Sequence, residues 1–266
     1  MKAAEIFDLS GQVAMVTGAS SGLGAHFAQV LAANGAAVAL VARRAERLAE
    51  IKMLIDYAGG RAFPIEADVT DRAAMKAAFD MAEKAFGTVT VLVNNAGIAH
   101  SGRAVDLAEE EWRRVVATNL DAVFFNAQEA GRRMLAAGKS GAIINIASIL
   151  GFGVSKGVVA YATAKAGVIQ LTKALAVELT FKGIRVNAIA PGFISTEINR
   201  EYLAGEGAKM TRAIPAGRFG EARDLDGALL LLASDAGRYI AGETIVVDGG
   251  HLLPLAGLDQ TTRATN

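Results

Sequence analysis

Short apolar runs rich in β-forming residues recur along the chain at Gln12–Thr17, Ala37–Ala42, Ala62–Glu66, Val89–Asn94, Ala142–Ala147, Arg185–Ala190 and Thr244–Val247. Between each run and the next lies a segment long enough for a helix. Parallel strands cannot be joined by a tight hairpin; they need a long crossover, and a helix usually supplies it. The alternation therefore predicts βαβ units and a parallel sheet. Runs such as Val89-Thr-Val-Leu-Val93 are apolar with almost no alternation, which means that helices cover both faces. The expected fold class is α/β, a doubly wound parallel sheet of about seven strands. Right-handed crossovers then bring ligand sites to the carboxyl ends of the strands, near the point where strand order reverses.

The bulk properties narrow the function. At 266 residues, 52% of them hydrophobic, the chain is ample for one large core. The four prolines are scattered and no linker-like stretch interrupts the pattern, so a single domain over residues 1–266 is expected. Lysine plus arginine balance aspartate plus glutamate at 27 each, leaving no global field to attract nucleic acid or anionic lipid. With no cysteine there are no disulfides, thiolate metal sites or cysteine nucleophiles, and no metal is expected. Residues 1–8 lack a signal-peptide core, and no apolar run approaches the ~20 residues of a membrane span. A soluble cytoplasmic protein is the expectation.

Three stretches carry chemistry. In Thr17-Gly18-Ala19-Ser20-Ser21-Gly22-Leu23-Gly24, Gly18 closes the first strand while Gly22 and Gly24 open the next helix. Backbone N–H groups at such a helix start face the position of a pyrophosphate, making Gly18, Ser20, Ser21, Gly22, Leu23 and Gly24 a candidate phosphate cradle. At the end of the second strand, an acidic residue would bond a ribose 2′-hydroxyl and repel a 2′-phosphate. Here the chain reads Val41-Ala42-Arg43-Arg44 instead. Two guanidiniums suit a phosphate, so NADP is favoured over NAD; the alternative is that both arginines decorate the exposed start of a helix over Ala45–Ala58. Finally, Tyr161-Ala-Thr-Ala-Lys165 stacks a phenol and an ammonium on one helix face. A free tyrosine ionises near pH ~10 and a close cation favours the phenolate, so a phenol of lowered pKa is expected.

These stretches occur together with Asn94-Asn95-Ala96-Gly97, Asn119 in Ala117-Thr-Asn-Leu120, Ser148 thirteen residues before Tyr161, and Pro191-Gly192-Phe193-Ile194-Ser195-Thr196. In this order, and from about Leu9 to about Leu253, the chain resembles the short-chain dehydrogenase/reductase family. The Gly-x-x-x-Gly-x-Gly spacing is the form that family uses in place of Gly-x-Gly-x-x-Gly. The resemblance implies a Rossmann fold and a catalytic set of Asn119, Ser148, Tyr161 and Lys165. Tyr161 would be the general acid/base, Ser148 would hold the substrate oxygen, Lys165 would lower the phenol pKa and bind the nicotinamide ribose, and Asn119 would anchor water in a relay to Lys165. It further implies that Asp68 and Val69 meet the adenine, although Thr70 or Asp71 there also reads as a helix N-cap. The Asn94-Asn95-Ala96-Gly97 turn would stabilise the central sheet and, through Asn95, Ala96 and Gly97, pass beside the adenosine ribose, the alternative being a simple polar turn; Pro191, Gly192, Ile194 and Thr196 would meet the nicotinamide carboxamide. Pairing through helices over Glu111–Gly131 and Ala162–Phe181, and through Thr244–Gly250, would give a homotetramer or homodimer.

The expected activity is interconversion of a ketone and a secondary alcohol, with a small carbonyl or alcohol as the partner and NADP as cofactor. The alternatives are an NAD-dependent dehydrogenase of sugar acids or other secondary alcohols, and a catalytically idle NADP sensor of the same fold. Leu150-Gly-Phe-Gly-Val154 carries no charge, which favours a largely neutral ketone. Residues 197 to about 214 read as a helical flap or a surface excursion, and 254–266 as a tail. Trp112 and Met134 read as packing, and His100 is set aside as a second acid.

Overall fold

The computed structural model describes residues 2–195 and 211–253. Thr196, most of the flap segment and the tail 254–266 lie outside the described residues. After a single helical turn, α1 (Ala3–Ile6), the chain alternates β1 (Val13–Thr17), α2 (Gly22–Ala33), β2 (Ala37–Ala42), α3 (Ala45–Tyr57), β3 (Arg61–Glu66), α4 (Arg72–Phe86) and β4 (Val91–Asn94). It continues through α5 (Glu109–Val116), α6 (Ala122–Ala136), β5 (Gly141–Ile146), α7 (Val159–Leu179), β6 (Ile184–Pro191), α8 (Asp226–Ala233) and β7 (Thr244–Val247). The seven strands form one parallel sheet in the order β3-β2-β1-β4-β5-β6-β7. Winding runs outward from β1 to β3, then returns to place β4 beside β1. The reversal therefore falls between β1 and β4.

Strand side chains alternate between two cores, which is why the strands read as continuously apolar. Ala14, Val16, Val38 and Leu40 face α2, α3 and α8, packing with Phe27, Leu31, Leu48, Leu229 and Leu232. Val13, Met15, Ala39 and Val41 face the opposite way, toward Phe79 of α4, Met134 of α6 and Leu175 of α7. The edge strand β3 carries Pro64, which has no N–H for a sheet ladder and is tolerated at an edge. Among the described residues, no helix is long and apolar enough to cross a membrane.

The long helix expected over Glu111–Gly131 is present and continuous, but it contains a π bulge. α5 ends at Val116, a π turn occupies Ala117–Asp121, and α6 begins at Ala122. The Ala122 N–H donates to the Ala117 carbonyl, five residues back rather than four, and accommodates one extra residue. Asn119 sits in that turn. Trp112 is partly exposed rather than buried in packing, whereas Met134 is wholly enclosed.

Phe79 is fully enclosed between α4 and the sheet. Phe79→Ala is expected to cost about 3–5 kcal/mol, since the cavity collapses only in part. Urea unfolding should show a lowered midpoint at unchanged slope; a loss below about 1 kcal/mol would mean that the site relaxes freely.

Candidate active site

The site forms where β1 and β4 meet, and its shape follows from two positions that tolerate no side chain. Gly18 has φ +68°, and a Cβ there would lie 2.9 Å from the Ala96 Cα. A Cβ on Gly24 would stand 2.3 Å from the Gly18 carbonyl oxygen and 2.5 Å from Asn95 Nδ2. Only glycine lets α2 start this close to the strand ends. Thr17 fixes the approach: its hydroxyl accepts the N–H groups of Asn95 at 3.0 Å and Ala96 at 3.1 Å, while Asn95 Nδ2 donates to the Thr17 carbonyl at 2.9 Å. Sequence reasoning quoted Thr17 but gave it no duty.

Two connected cavities open at this junction. The larger, about 770 Å³, is lined by Gly18, Ser20, Ser21, Gly22, Leu23, Arg43, Arg44, Asp68, Val69, Asn95, Ala96 and Gly97, and also by Arg114, Ala117 and Thr118, which were not anticipated. Gly24 lies behind the cradle rather than on its surface. Arg44 Nη2 donates to the Ser20 and Ser21 hydroxyls at 2.9 and 2.7 Å, so one guanidinium is bound to the phosphate-cradle turn. Arg43 is largely exposed, 3.8 Å from Asp68. The Thr70 N–H donates to Asp68 Oδ1 at 2.9 Å, and with the Thr70 hydroxyl and Arg43 it holds that carboxyl below the usual range. Asp71, not Thr70, caps α4, accepting the N–H groups of Ala73 and Ala74 at 2.9 and 3.0 Å. Asp68 is therefore left to face the cavity.

The smaller cavity, about 350 Å³, gathers Asn119, Ser148, Tyr161 and Lys165 with Pro191, Gly192 and Ile194, and shares Leu23, Asn95, Gly97 and Ile98 with its neighbour. Ile194 is held by a bridge to Gly220: the Ser195 N–H donates to the Gly220 carbonyl at 2.8 Å, and the Gly220 N–H to the Phe193 carbonyl at 2.9 Å. Asn119 is fully buried. Its amide donates to the carbonyls of Ile98 at 2.8 Å and Val115 at 2.9 Å, and its oxygen accepts the Ile98 N–H at 3.3 Å. The side chain thus pins the Gly97–Ile98 turn to the π turn. His100 lines neither cavity and pairs with Glu111 at 2.9 Å. The neighbouring Gly102 N–H donates to the Gly157 carbonyl at 2.9 Å, joining two rim loops.

The electrostatics differ from expectation in one respect. Burial pushes the Tyr161 phenol above its usual pKa, and the hydrogen bond to Ser148 only partly opposes it. The expected lowering by Lys165 is absent because the ammonium points elsewhere: Nζ donates to the Ile146 carbonyl at 2.6 Å and stands 5.6 Å from the phenol ring centre. Lys165 is itself 3% exposed, and burial lowers it to about 8. Desolvation therefore favours the neutral form of both groups. The arrangement supplies two hydroxyls converging in one cavity above a buried amine, which suits proton exchange with a substrate oxygen.

Comparison with known proteins identifies the family. Residues 18–251 match the family described as enoyl-(acyl carrier protein) reductase. The chain is 39% identical over 243 residues to the 3-oxoacyl-[acyl-carrier-protein] reductase of Escherichia coli (strain K12), covering 91% of this chain and 98% of that one. A short-chain type dehydrogenase/reductase from Mycobacterium marinum superimposes with a TM-score of 0.90 at 41% identity, covering 94% of this chain and 99% of that one. A gluconate 5-dehydrogenase from Burkholderia cenocepacia J2315, in complex with NADP and tartrate, has a TM-score of 0.90 at 35% identity, covering 96% of this chain and all of that one.

The buried amine makes a pH prediction. Lysine ordinarily ionises at 10.5, and Lys165 does so at about 8 in the folded chain. Between those values the unfolded chain binds more protons, so this group's contribution to stability rises with pH through that window. Below about pH 8 both states carry the charge and the burial cost is fully present. Relative to Lys165→Met, the native sequence should gain roughly 3 kcal/mol between pH 8 and pH 10.5, read from urea unfolding at stepped pH. A flat difference would mean that the amine is not desolvated.

Proposed function

The chain belongs to the short-chain dehydrogenase/reductase family, enzymes that act on CH–OH and C=O groups, and we propose that it interconverts a ketone and a secondary alcohol with NADP as preferred dinucleotide and Tyr161 as general acid/base. The carrying observation is the meeting of the Ser148 and Tyr161 hydroxyls in one cavity with Lys165. One domain, in this reading, holds both cofactor and substrate.

The two cavities together would hold a dinucleotide, the larger taking its adenosine half and the smaller its nicotinamide. The two glycines leave room at the start of α2 for a pyrophosphate against backbone N–H groups. Asp68 and Val69 would meet the adenine, Asn95 to Gly97 the adenosine ribose, Lys165 the nicotinamide ribose, and Pro191, Gly192, Ile194 and Thr196 the carboxamide. Arg43 and Arg44 would take a 2′-phosphate, with no carboxylate at the end of β2 to repel it. The NADP held by the gluconate 5-dehydrogenase supports the same choice.

When bound, the nicotinamide supplies or takes the hydride. Ser148 and Tyr161 donate hydrogen bonds to the substrate oxygen, and those bonds strengthen as negative charge grows there. In reduction Tyr161 gives its proton to that oxygen; in oxidation it takes the proton back. Burial makes the isolated phenolate unfavourable, so the cation on Lys165 is needed nearby to offset the charge left on Tyr161. Asn119 holds the turn beside the site, and we assign the water relay to its neighbourhood. The chemistry needs no metal.

Ile98, Ala99 and the uncharged loop Leu150–Val154 suit a largely neutral substrate. Val177 and Phe181 at the end of α7 are exposed, consistent with assembly into a homotetramer or homodimer through that helix. We place the protein in the cytoplasm.

Two experiments test the reading. Tyr161→Phe removes the proton and should lower kcat by roughly 10²–10⁴-fold with cofactor binding retained, followed as NADPH absorbance loss over a ketone panel. A variant as active as the native sequence would overturn the assignment, and a native protein that binds NADPH but reduces nothing would favour the sensor. The double variant Arg43→Ala/Arg44→Ala should weaken NADPH by about tenfold or more, about 1.4 kcal/mol, while NADH changes less than about threefold. Equal losses for both dinucleotides would remove the 2′-phosphate role.

A further inference from the structure

Three elements carry the four members of the proposed catalytic set, and a fourth, β4, leads into the cofactor side of the site. Asn119 precedes α6, the Asn95–Gly97 turn leaves β4, Ser148 follows β5, and Tyr161 with Lys165 lies on α7. Beneath the cavities, a continuous line of buried hydrogen bonds joins all four. Asn94 Nδ2 donates to the Val123 carbonyl in the first turn of α6 at 3.2 Å and to Asn145 Oδ1 at 3.0 Å. Asn145 Nδ2 donates to the Thr172 hydroxyl at 3.0 Å, which in turn donates to the Val168 carbonyl at 2.8 Å. Asn94 is 2% exposed, and Asn145 and Thr172 are wholly enclosed. None of the three lines either of the two cavities described above.

The placement of Thr172 is specific. Tyr161, Lys165, Val168 and Thr172 are spaced at four, three and four residues, one stripe along α7. That stripe meets the end of β5 in three polar rungs: Tyr161 with Ser148, Lys165 Nζ with the Ile146 carbonyl, and Thr172 with Asn145. The rest of this helix–sheet contact is apolar, and apolar contact is non-directional. A helix held by it alone can slide or turn slightly at small cost. Hydrogen bonds, with narrow distance and angle limits, remove that freedom. The line has a consistent donor sense from Asn94 to Val168, so each bond polarises the next. Buried amides are costly without partners, and apolar residues of similar volume would fill the same space without that demand. What the polar residues add is register.

We infer that Asn145 and Thr172 are positioning residues, which hold α7 in the register on β5 that brings the Tyr161 hydroxyl to Ser148. The inference rests on the oxidoreductase reading above. Its test compares Thr172→Val, which keeps the shape and removes the hydroxyl, with Thr172→Ser, which restores it. Thr172→Val should bind NADPH within about twofold of the native protein and keep the ketone KM within about threefold, while kcat falls about tenfold or more; Thr172→Ser should recover kcat to within about threefold. A Thr172→Val kcat within about twofold of native, or a Thr172→Ser as slow as Thr172→Val, overturns the inference. Should Thr172→Val fail to fold, Asn145→Ser, too short to span to Thr172, is judged by the same limits. If both variants lose fold and NADPH binding together, the residues only stabilise the core and the inference fails. A native protein without turnover overturns the functional reading and this inference with it, whereas turnover unaffected by either variant overturns the inference alone.

Discussion

The site depends on how closely α2 approaches the ends of β1 and β4. With no side chain at Gly18 and Gly24, the first turn of α2, the Thr17 carbonyl and the Asn95 amide share a space that one methyl group would fill. Because strand order reverses between β1 and β4, this is also where the sheet opens a crevice. The reversal makes the space, the glycines keep it open, and the Thr17 hydroxyl ties its two walls together. The described residues that line the two cavities are arranged around that junction.

On the substrate side, two ionisable groups are buried in ways that favour their neutral forms. A tyrosine in such a setting keeps its proton until something else in the site carries charge, and a lysine in such a setting gives its proton up more readily than in water. Neither property comes from the pair acting on each other in the manner that their spacing suggests. The amine is anchored to a main-chain carbonyl of β5. It is therefore a fixed charge whose distance to the phenol is set by the sheet rather than by its own flexible stem.

The fold was readable in the sequence because its cause is local and repeated. Seven apolar runs and their helical spacers define the layers, and the strands over Ala37–Ala42 and Thr244–Val247 have the expected bounds. Many of the residues gathered in the two cavities were also readable, since their types and order carry the resemblance, whereas Arg114, Ala117 and Thr118 were not. What escaped depends on contacts between distant segments. The π bulge at Asn119 is supported by hydrogen bonds to Ile98, twenty-one residues away, so the helical stretch Glu111–Gly131 gives no sign of it. The direction of the Lys165 ammonium is a choice among rotamers decided by the Ile146 carbonyl, which spacing on one helix cannot reveal. Thr17 read only as the end of a strand because its partners, Asn95 and Ala96, lie in the turn just past β4.

The bond between Gly102 and Gly157 couples two rim loops that leave different strands. One loop carries His100, which pairs with Glu111 of α5, and the other begins at Ser148. Since the link uses only main-chain atoms, either loop can exchange side chains elsewhere without severing it, while Gly157, with φ +81°, is held to glycine. Selectivity at the mouth can drift through such exchanges while the proton-transfer floor stays fixed, which makes this scaffold suited to acquiring new substrates by rim changes alone.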